Sequence, residues 1–361
     1  MRYSKIGIIL GTRPEAIKLS PFLAPPKGIS VSVCNTGQHR ELLTPMLDFF
    51  GYNAHTLTAC VPGQSLAELS SRMLPDIDRW LSETQPDLVF VQGDTQSSFI
   101  GALAAYYQKI PVAHIEAGLR TEDPYNPFPE EMNRRLISQI ARYHFAPTTK
   151  AAEKLASEGF HDRVFMVGNT GIDALYATLK KVQKPQNFHI DPHKKLIFVT
   201  AHRRENHGKP LENICTALRN IVTTYPDTQI IFPVHKNPNV LTTVGRILEN
   251  VPNIFLVEPL EYPETVWIMS QSYLILTDSG GLQEEGPALH KPVLVMRDET
   301  ERTEGVSSGS AKLVGTDPTT IVNAVANLLQ DSHAYTKMAE ATCPYGNGDS
   351  AEKIWTILKA Q

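Results

Sequence analysis

The sequence lacks long hydrophobic runs and has few cysteines. Its longest apolar runs, such as residues 6–10 with a glycine inside, fall far short of the roughly 20 residues that span a membrane. Residues 1–5 lead directly into a strand-like segment without an apolar region and cleavage site, so we expect no signal peptide. The four cysteines form no C-x-x-C pair, which predicts a reduced cytosolic protein without a zinc framework; they are Cys34, Cys60, Cys215 and Cys343.

The chain also lacks a strong excess of charge of either sign. Its 34 Lys and Arg residues against 38 Asp and Glu residues give a net charge of −4, whereas a dedicated nucleic-acid binder carries a basic excess. The length of 361 residues corresponds to two domains at roughly 100–200 residues each. Hydrophobic residues make up 42% of the chain, enough to bury the cores of both domains. The composition therefore predicts a soluble two-domain protein and favours an enzyme.

Short apolar runs alternate along the chain with longer amphipathic segments, such as residues 64–82 and 97–108. This alternation is typical of parallel sheets covered by helices on both faces. The runs form two series of predicted strands, which are 5–10, 30–34, 88–92, 112–115, 143–146 and 164–167, followed by 195–200, 229–233, 254–257, 273–277 and 293–296. We therefore predict an α/β fold with two doubly wound domains.

The boundary between the two domains is predicted near residues 168–172. A glycine-containing turn ends the first series there, and the polar segment 180–195 precedes the second series. We place residues 1–169 in the first domain and 170–343 in the second, which would include a helix at 172–183. The turn-rich residues 344–348 precede a last helix, so we expect residues from about 344 to 361 to return to the first domain.

The loop after the first predicted strand, residues 11–15, reads Gly-Thr-Arg-Pro-Glu. Its threonine and glutamate have the spacing of a capping box, and its proline suits the first turn of a helix. The helix N-terminus would face an anion, with Arg13 and Lys18 beside it, although an ordinary capped helix explains the same residues. The loop carries neither the G-x-G-x-x-G pattern nor the G-x-x-x-x-G-K-S/T pattern. We therefore expect neither NAD binding nor ATP hydrolysis.

Acidic residues follow two further strands and open a helix. Asp94 follows strand 88–92, Glu116 follows strand 112–115, and Glu130 lies in the run Pro-Glu-Glu-Met-Asn-Arg-Arg. Ligands of open parallel sheets bind outside the carboxyl ends of the strands, so these carboxylates are candidate site residues. Two structural explanations carry similar weight: Asp94 as the cap of the next helix, and Glu130 as a stabiliser of a first helical turn.

Polar residues also follow the strands of the second series. His202 and Arg203 begin a run of polar residues, 202–206, directly after strand 195–200, and His235 follows strand 229–233 in the same way. This density of polar residues is greater than a solvated loop requires, so it favours a binding or catalytic role.

A glycine pair after strand 273–277 is a candidate phosphate site. Ser279 is placed to cap a helix, while Gly280 and Gly281 would expose backbone N–H groups to an incoming phosphate. Glu285 lies further along the same helix, where a carboxylate can accept hydrogen bonds from both hydroxyls of a ribose. Arg302 adds a cationic group after strand 293–296. Together these features predict a nucleotide-sugar pocket.

The complete pattern closely resembles the non-hydrolysing UDP-N-acetylglucosamine 2-epimerases of bacteria. The matching stretches lie in family order and are residues 11–18, 38–40, 93–95, 112–120, 129–134, 168–170, 202–205, 233–235, 276–285, 291–297 and 300–302. The resemblance implies two Rossmann-like domains of the glycosyltransferase-B type with UDP in the cleft between them, and a cytoplasmic homodimer. It also implies inversion at C2 between UDP-GlcNAc and UDP-ManNAc, without a cofactor or metal, for cell-surface polysaccharide synthesis.

The resemblance implies a role for each candidate residue. Asp94, Glu116 and Glu130 correspond to an acidic catalytic trio, and His202 corresponds to a catalytic histidine. The UDP-binding positions correspond to Arg13, Lys18, Ser279, Gly280, Gly281, Glu285 and Arg302. The positions associated with a second, allosteric UDP-GlcNAc in some members correspond to Gln38, His39, Arg203 and His235.

Several alternatives stay open at this point. The residues do not assign the base and the acid among the three carboxylates. A hydrolysing 2-epimerase and an epimerase of a related UDP-sugar share the pattern, and a retaining glycosyltransferase or a nucleotide-sugar sensor would share the fold. Three carboxylates near a diphosphate would weaken its binding, so they favour chemistry over sensing. Gly63 stands where some allosterically regulated members have arginine, so allostery has less support than catalysis.

Overall fold

A computed structural model describes residues 3–361 of the chain apart from 59, 62, 122, 186, 187 and 189. The chain forms two compact units, the first made of Met1–Ala174 with Tyr345–Gln361 and the second of Leu175–Pro344. The division falls within helix α7 (Thr170–Leu179) rather than at residue 169. Asp173 in the first turn of α7 accepts a hydrogen bond from the backbone N–H of Ala351 at 2.8 Å, which ties that turn to the last helix.

The first unit contains a parallel sheet with the strand order β3-β2-β1-β4-β5-β6-β7. Its strands are β1 (Lys5–Leu10), β2 (Ser30–Asn35), β3 (Ala54–Thr56), β4 (Leu88–Gln92), β5 (Val112–Ile115), β6 (Tyr143–Ala146) and β7 (Val164–Met166). Every residue of β4 and all but the first of β1 are buried, as expected for strands with helices on both faces.

The helices of the first unit include α1 (Arg13–Leu19), α2 (Arg40–Phe50), α3 (Leu66–Thr84), α4 (Gln96–Tyr107), α5 (Glu130–Ile140), α6 (Thr149–Ser157) and the start of α7. Ser65 caps the N-terminus of α3 in a capping box, because its side chain accepts from the Glu68 N–H and the Glu68 carboxylate accepts from the Ser65 N–H. Gly101 lets α4 lie close to β1, since a Cβ there would be 2.9 Å from Cγ2 of Ile9.

The last helix belongs to the first unit. This helix is labelled α15 (Ser350–Ala360). Its Trp355 side chain packs edge-on against Phe22, with ring centroids 5.6 Å apart, and also contacts the Phe90 ring of β4. The backbone N–H of Asn169 donates to the carbonyl of Tyr345 at 2.7 Å, just before the helix. Burial of three large aromatic rings therefore holds the C-terminal segment on the first sheet.

The second unit contains a parallel sheet with the strand order β10-β9-β8-β11-β12-β13. Its strands are β8 (Lys195–Thr200), β9 (Thr228–Pro233), β10 (Ile254–Val257), β11 (Leu274–Thr277), β12 (Val293–Val295) and β13 (Ala311–Leu313). Its helices include α8 (Lys209–Thr224), α9 (Pro238–Leu248), α10 (Tyr262–Gln271), α11 (Gly280–Ala288), α12 (Thr303–Ser308), α13 (Pro318–Gln330) and α14 (Ser332–Ala339). Helix α11 packs tightly on this sheet, because a Cβ on its Gly286 would lie 2.5 Å from Cγ2 of Val293.

The predicted fold class is confirmed: both units are doubly wound, Rossmann-like α/β domains. Two strands were not predicted from the sequence, β3 and β13. Both are three-residue edge strands with at least one exposed residue, so neither forms an apolar run. No helix in the described part of the chain is both long and apolar enough to cross a membrane.

Candidate functional site

In both sheets the candidate residues cluster where the strand order reverses. The reversal lies between β1 and β4 in the first unit and between β8 and β11 in the second. The carboxyl ends of these strands lead into the loops that carry Arg13, Asp94, His202 and Ser279. Since ligands of open α/β sheets bind at such reversals, each unit presents its candidate residues at the expected place.

Glu15 joins the loop after β1 to the start of α4. Its fully buried carboxylate accepts hydrogen bonds from the backbone N–H groups of Gly11 and Thr12, and from the hydroxyls of Thr95 and Ser98, at 2.7–2.9 Å. Burial raises the pKa of Glu15 above its usual value, although these donors act in the opposite direction. The glutamate predicted to cap α1 therefore also fixes the loop that precedes Arg13.

Glu116 is held by two side chains from other elements. The Lys18 Nζ lies 2.6 Å from its Oε2, and the Gln92 side chain donates to the same oxygen. The backbone of Glu116 has φ of +65°, which non-glycine residues rarely adopt. Gly118 follows with φ of +92°, and a Cβ there would lie 2.3 Å from the carbonyl oxygen of Ala151. Lys18, predicted to bind UDP, thus contacts a candidate catalytic carboxylate in this structure.

Asp94 does not cap the following helix, so that interpretation of the sequence is wrong. Thr95 occupies the cap, where its hydroxyl accepts from the Ser98 N–H at 3.0 Å. The Asp94 carboxylate instead accepts from the Arg134 guanidinium at 2.6 Å, and its backbone carbonyl accepts from Asn133 at 3.0 Å. Burial raises the pKa of Asp94 above the usual carboxyl value, and this effect outweighs the opposing effect of Arg134.

The carbonyl preceding Asp94 is also fixed by a side chain. The His114 Nε2 lies 2.6 Å from the carbonyl oxygen of Gly93, to which it must donate. His114 is completely buried, and burial lowers its pKa to about 3, so the ring is neutral at physiological pH. Asp94 is therefore positioned from both β5 and α5.

The two adjacent glutamates that open α5 have different surroundings. Glu131 is completely buried and accepts hydrogen bonds from the Thr121 N–H at 2.9 Å and from Arg135 at 2.7 Å. Glu130 is the first residue of the helix, and its Oε2 is buried without a hydrogen bond among the described residues. Glu131 therefore anchors the segment that precedes α5, whereas Glu130 keeps an acceptor oxygen for another group.

His202 lies beside a buried aspartate in the second unit. Its Nδ1 is 3.2 Å from Oδ1 of Asp278, the residue that directly follows β11. The other oxygen of Asp278 accepts from the backbone N–H groups of His202 and Arg203 at 2.9 Å, and from the Asn206 side chain at 3.0 Å. Burial alone would raise the pKa of Asp278, but the adjacent His202 side chain and the backbone N–H donors hold it below its usual value.

The start of α11 presents the predicted glycine pair. Ser279 occupies the N-cap position, but its side chain makes no capping hydrogen bond, so the predicted capping role of its hydroxyl is not observed. A Cβ on Gly281 would meet nothing closer than the Ser279 hydroxyl at 4.0 Å, whereas one on Gly280 would lie 3.4 Å from the Arg302 guanidinium carbon. Further along the helix, Glu285 accepts a hydrogen bond from the Tyr262 hydroxyl at 3.0 Å.

Several of the polar residues that follow β8 and β12 form a network of ion pairs. Arg302 donates to Glu284 at 2.8 Å and contacts Glu301 at 3.1 Å. Arg297 contacts Glu205 at 2.7 Å and Glu301 at 2.8 Å. The sequence favours a binding or catalytic role for the polar run at 202–206, but Glu205 and Asn206 contact Arg297 and Asp278 within the protein.

The residues associated with an allosteric ligand fall in both units. In the first unit, the Gln38 side-chain carbonyl accepts from the backbone N–H and hydroxyl of Ser97, and His39 is exposed at the start of α2. In the second unit, Arg203 donates from Nε to the carbonyl of Asp278 at 3.0 Å, and His235 is exposed. The contacts of Gln38 and Arg203 are structural, so their predicted role in ligand binding stays a prediction.

Comparisons with known proteins identify the family to which the chain belongs. A family model described as UDP-N-acetylglucosamine 2-epimerase matches residues 23–359. The UDP-N-acetylglucosamine 2-epimerase of Escherichia coli K12 is 47% identical over an alignment 369 residues long. The alignment covers 98% of this chain and 98% of the relative.

Solved structures of the same kind of protein superpose over nearly the whole chain. The UDP-GlcNAc 2-epimerase of Neisseria meningitidis bound to UDP-GlcNAc is 43% identical, with a TM-score of 0.88 over 99% of this chain and 100% of that one. The UDP-GlcNAc 2-epimerase of Methanocaldococcus jannaschii in complex with UDP-GlcNAc and UDP is 35% identical, with a TM-score of 0.77 and the same coverage. The chain therefore belongs to the UDP-N-acetylglucosamine 2-epimerase family and is an isomerase.

Proposed function

We propose that the protein interconverts UDP-GlcNAc and UDP-ManNAc by inverting C2, through elimination and re-addition of UDP, without releasing the free sugar. The observation that carries this proposal is the group of carboxylates Asp94, Glu116 and Glu130 beside Lys18 and Arg134 at the carboxyl edge of the first sheet. The relatives named above support the choice of substrate, because two of their structures contain UDP-GlcNAc.

The chemistry explains why carboxylates are needed. The C2 hydrogen of the sugar is not next to a carbonyl, so its direct removal as a proton is very unfavourable. As UDP leaves C1, positive charge builds at C1 and the C2 hydrogen becomes acidic, so a carboxylate can remove it as a general base. A glycal-like intermediate is then protonated on the opposite face of C2, and UDP adds back to C1.

In this proposal Asp94, Glu116 and Glu130 supply the base and the acid. Asp94 experiences the charges of both Glu130 and Lys18, and Lys18 contacts Glu116, so the three carboxylates form one electrostatic group. Proton removal and proton return on opposite faces require two separately placed groups, which this group can provide.

The second unit is proposed to hold UDP and to stabilise its charge when it leaves. The backbone N–H groups of Gly280 and Gly281, at the N-terminus of α11, would donate hydrogen bonds to the diphosphate. Glu285 would accept hydrogen bonds from the ribose hydroxyls. His202 would assist departure of the diphosphate. The complete set of proposed UDP-binding residues is Arg13, Lys18, Ser279, Gly280, Gly281, Glu285 and Arg302.

We propose a cytoplasmic homodimer that supplies ManNAc units for cell-surface polysaccharide and that binds a second UDP-GlcNAc through Gln38, His39, Arg203 and His235. The exposed apolar side chains of Tyr106 and Tyr107 at the end of α4, and of Met132 and Leu136 on the adjacent α5, support a protein interface. Sedimentation of the purified protein would distinguish a dimer from a monomer of 40.1 kDa.

The proposed function predicts turnover without a cofactor. Exhaustively dialysed protein, incubated with UDP-GlcNAc and no added NAD or metal, is expected to form UDP-ManNAc until the two nucleotide sugars reach equilibrium. The reason is that the loop at Gly11 lacks the dinucleotide fingerprint that an oxidative route would need. Chromatography of the nucleotides separates the alternatives, since free ManNAc indicates a hydrolysing enzyme. Activity that disappears on dialysis and returns with NAD or a divalent ion contradicts the proposal.

A further inference from the structure

The side chain of Asp278 makes two different sets of contacts with its two oxygens. Oδ2 accepts from three donors, the backbone N–H groups of His202 and Arg203 and the amide of Asn206. Oδ1 is buried, faces Nδ1 of His202 at 3.2 Å and accepts no aligned hydrogen bond among the described residues. The first oxygen fixes the loop after β8, and the second is directed at the imidazole.

A buried carboxylate oxygen without a donor is unfavourable, so Oδ1 requires a hydrogen-bond partner. The imidazole of His202 is 46% exposed, whereas the Asp278 side chain is 0% exposed. The ring is therefore the partner with room to reorient and align its Nδ1–H with Oδ1. The opposite ring nitrogen, Nε2, then carries the lone pair or the second proton on the side away from Asp278.

We propose that Asp278 is a positioning residue for the epimerisation: its carboxylate fixes His202 as the Nδ1–H tautomer and leaves Nε2 to act on the departing diphosphate. This inference rests on the proposed function for the role of His202. Aspartates perform the same service for catalytic histidines in serine proteases, where the wrong tautomer removes most of the activity. The hydroxyls of Thr200 and Thr277 are 2.6 Å apart, so they join the ends of β8 and β11 just before His202 and Asp278.

The test replaces Asp278 by a side chain of the same shape. In Asp278→Asn the amide oxygen can keep the three donors of the Oδ2 position, while the amide NH₂ faces Nδ1 and favours the opposite tautomer, Nε2–H. We expect kcat to fall by roughly 10²–10⁴, the scale of one acid–base group, with UDP affinity close to that of the parent protein. A matched variant, Asn206→Ala, removes the amide that donates to Oδ2 and to the Met296 carbonyl but leaves Oδ1 and His202 unchanged, and it is expected to cost less than about tenfold in kcat.

The decisive readout is the ¹⁵N spectrum of the His202 ring, which distinguishes the two tautomers. It is recorded about two pH units above the usual histidine pKa of about 6.5, and subtraction of the His202→Gln spectrum identifies the signals. The parent protein and Asn206→Ala should show the Nδ1–H tautomer, and Asp278→Asn should show the Nε2–H tautomer. An Nε2–H tautomer in the parent protein overturns the inference even if Asp278→Asn does not fold.

Kinetics supply a second independent outcome. If Asp278→Asn changes the tautomer but keeps the parent kcat, or if Asn206→Ala lowers kcat as much as Asp278→Asn does, Asp278 only supports the loop. The spectra do not depend on turnover, so they still test the His202–Asp278 pairing if the parent protein fails to epimerise UDP-GlcNAc. In that case the proposed function fails separately.

Discussion

The substitutions Asp94→Asn, Glu116→Gln and Glu130→Gln are each expected to lower kcat by roughly 10²–10⁴, which is the contribution of one acid–base group. Each replacement keeps the shape of the side chain and removes its ability to exchange a proton. UDP affinity should change much less, because none of the three carboxylates is a proposed ligand of UDP and five of the seven proposed UDP-binding residues lie in the second unit. Steady-state kinetics with UDP-GlcNAc and calorimetric titration with UDP give the two quantities.

Two controls make this prediction specific. Glu83→Gln, at an exposed position near the end of α3, makes the same chemical change away from the site and should leave kcat unchanged. Glu116→Gln also removes the carboxylate that pairs with Lys18, so its thermal unfolding must be compared with that of the parent protein. A well-folded variant with near-normal kcat removes that residue from the proposed mechanism.

The next largest effect is expected on the affinity for UDP, from substitutions of Gly281 and Glu285 in α11. Gly281→Val adds a side chain where the folded chain leaves open space, so the loss of affinity should reflect blocked approach of the diphosphate and not a failure to fold. Glu285→Ala removes hydrogen bonds to a charged carboxylate and should cost about 1.5–3 kcal/mol. That free energy corresponds to roughly 10- to 150-fold in affinity.

A glycine in an equivalent open position provides the matched control. Gly245 lies within α9 of the same unit, and a Cβ there would meet nothing within 4 Å, so Gly245→Val makes the same change away from the site. Tyr262→Phe removes the hydroxyl that donates to Glu285 and keeps the carboxylate, so it should weaken UDP binding by less than Glu285→Ala does. If both Gly281→Val and Glu285→Ala bind UDP as the parent protein does, the nucleotide binds elsewhere.

The strands of both sheets could be predicted from the sequence because most of them are buried on both faces. Such strands appear as short apolar runs between amphipathic segments, as in β4. The edge strands β3 and β13 give no such signal, because they contain exposed residues such as His55 and Lys312. Their formation depends on pairing with β2 and β12, which no local pattern reports.

The positions of the candidate residues could be predicted, but their partners could not. Asp94 and Glu116 follow buried strands, which is a local signal. The pairing of Asp94 with Arg134 joins residues 40 positions apart, and the contact of Gln92 with Glu116 involves a residue counted only as part of a strand. Asp278 lies in a stretch that carries the family resemblance, but its sequence neighbours do not show that it faces His202.

Adjacent residues of the same type posed a related problem at the start of α5. Glu130 and Glu131 are chemically identical and differ only in the direction that the helix gives each side chain. The structure buries Glu131 against Arg135 and the Thr121 N–H, and leaves Oε2 of Glu130 without a hydrogen bond among the described residues. Only the packing of α5 distinguishes an anchoring carboxylate from a candidate acid or base.

The central claim is that the C2–H bond breaks and that solvent supplies the hydrogen returned to C2. The most direct measurement is incubation of the dialysed protein with UDP-GlcNAc in deuterated water, followed by NMR of the sugar. The proposed mechanism predicts UDP-ManNAc with deuterium at C2, and the same label in recovered UDP-GlcNAc as equilibrium is approached. UDP-ManNAc that keeps its original hydrogen at C2 throughout, or free ManNAc as the main product, would contradict it.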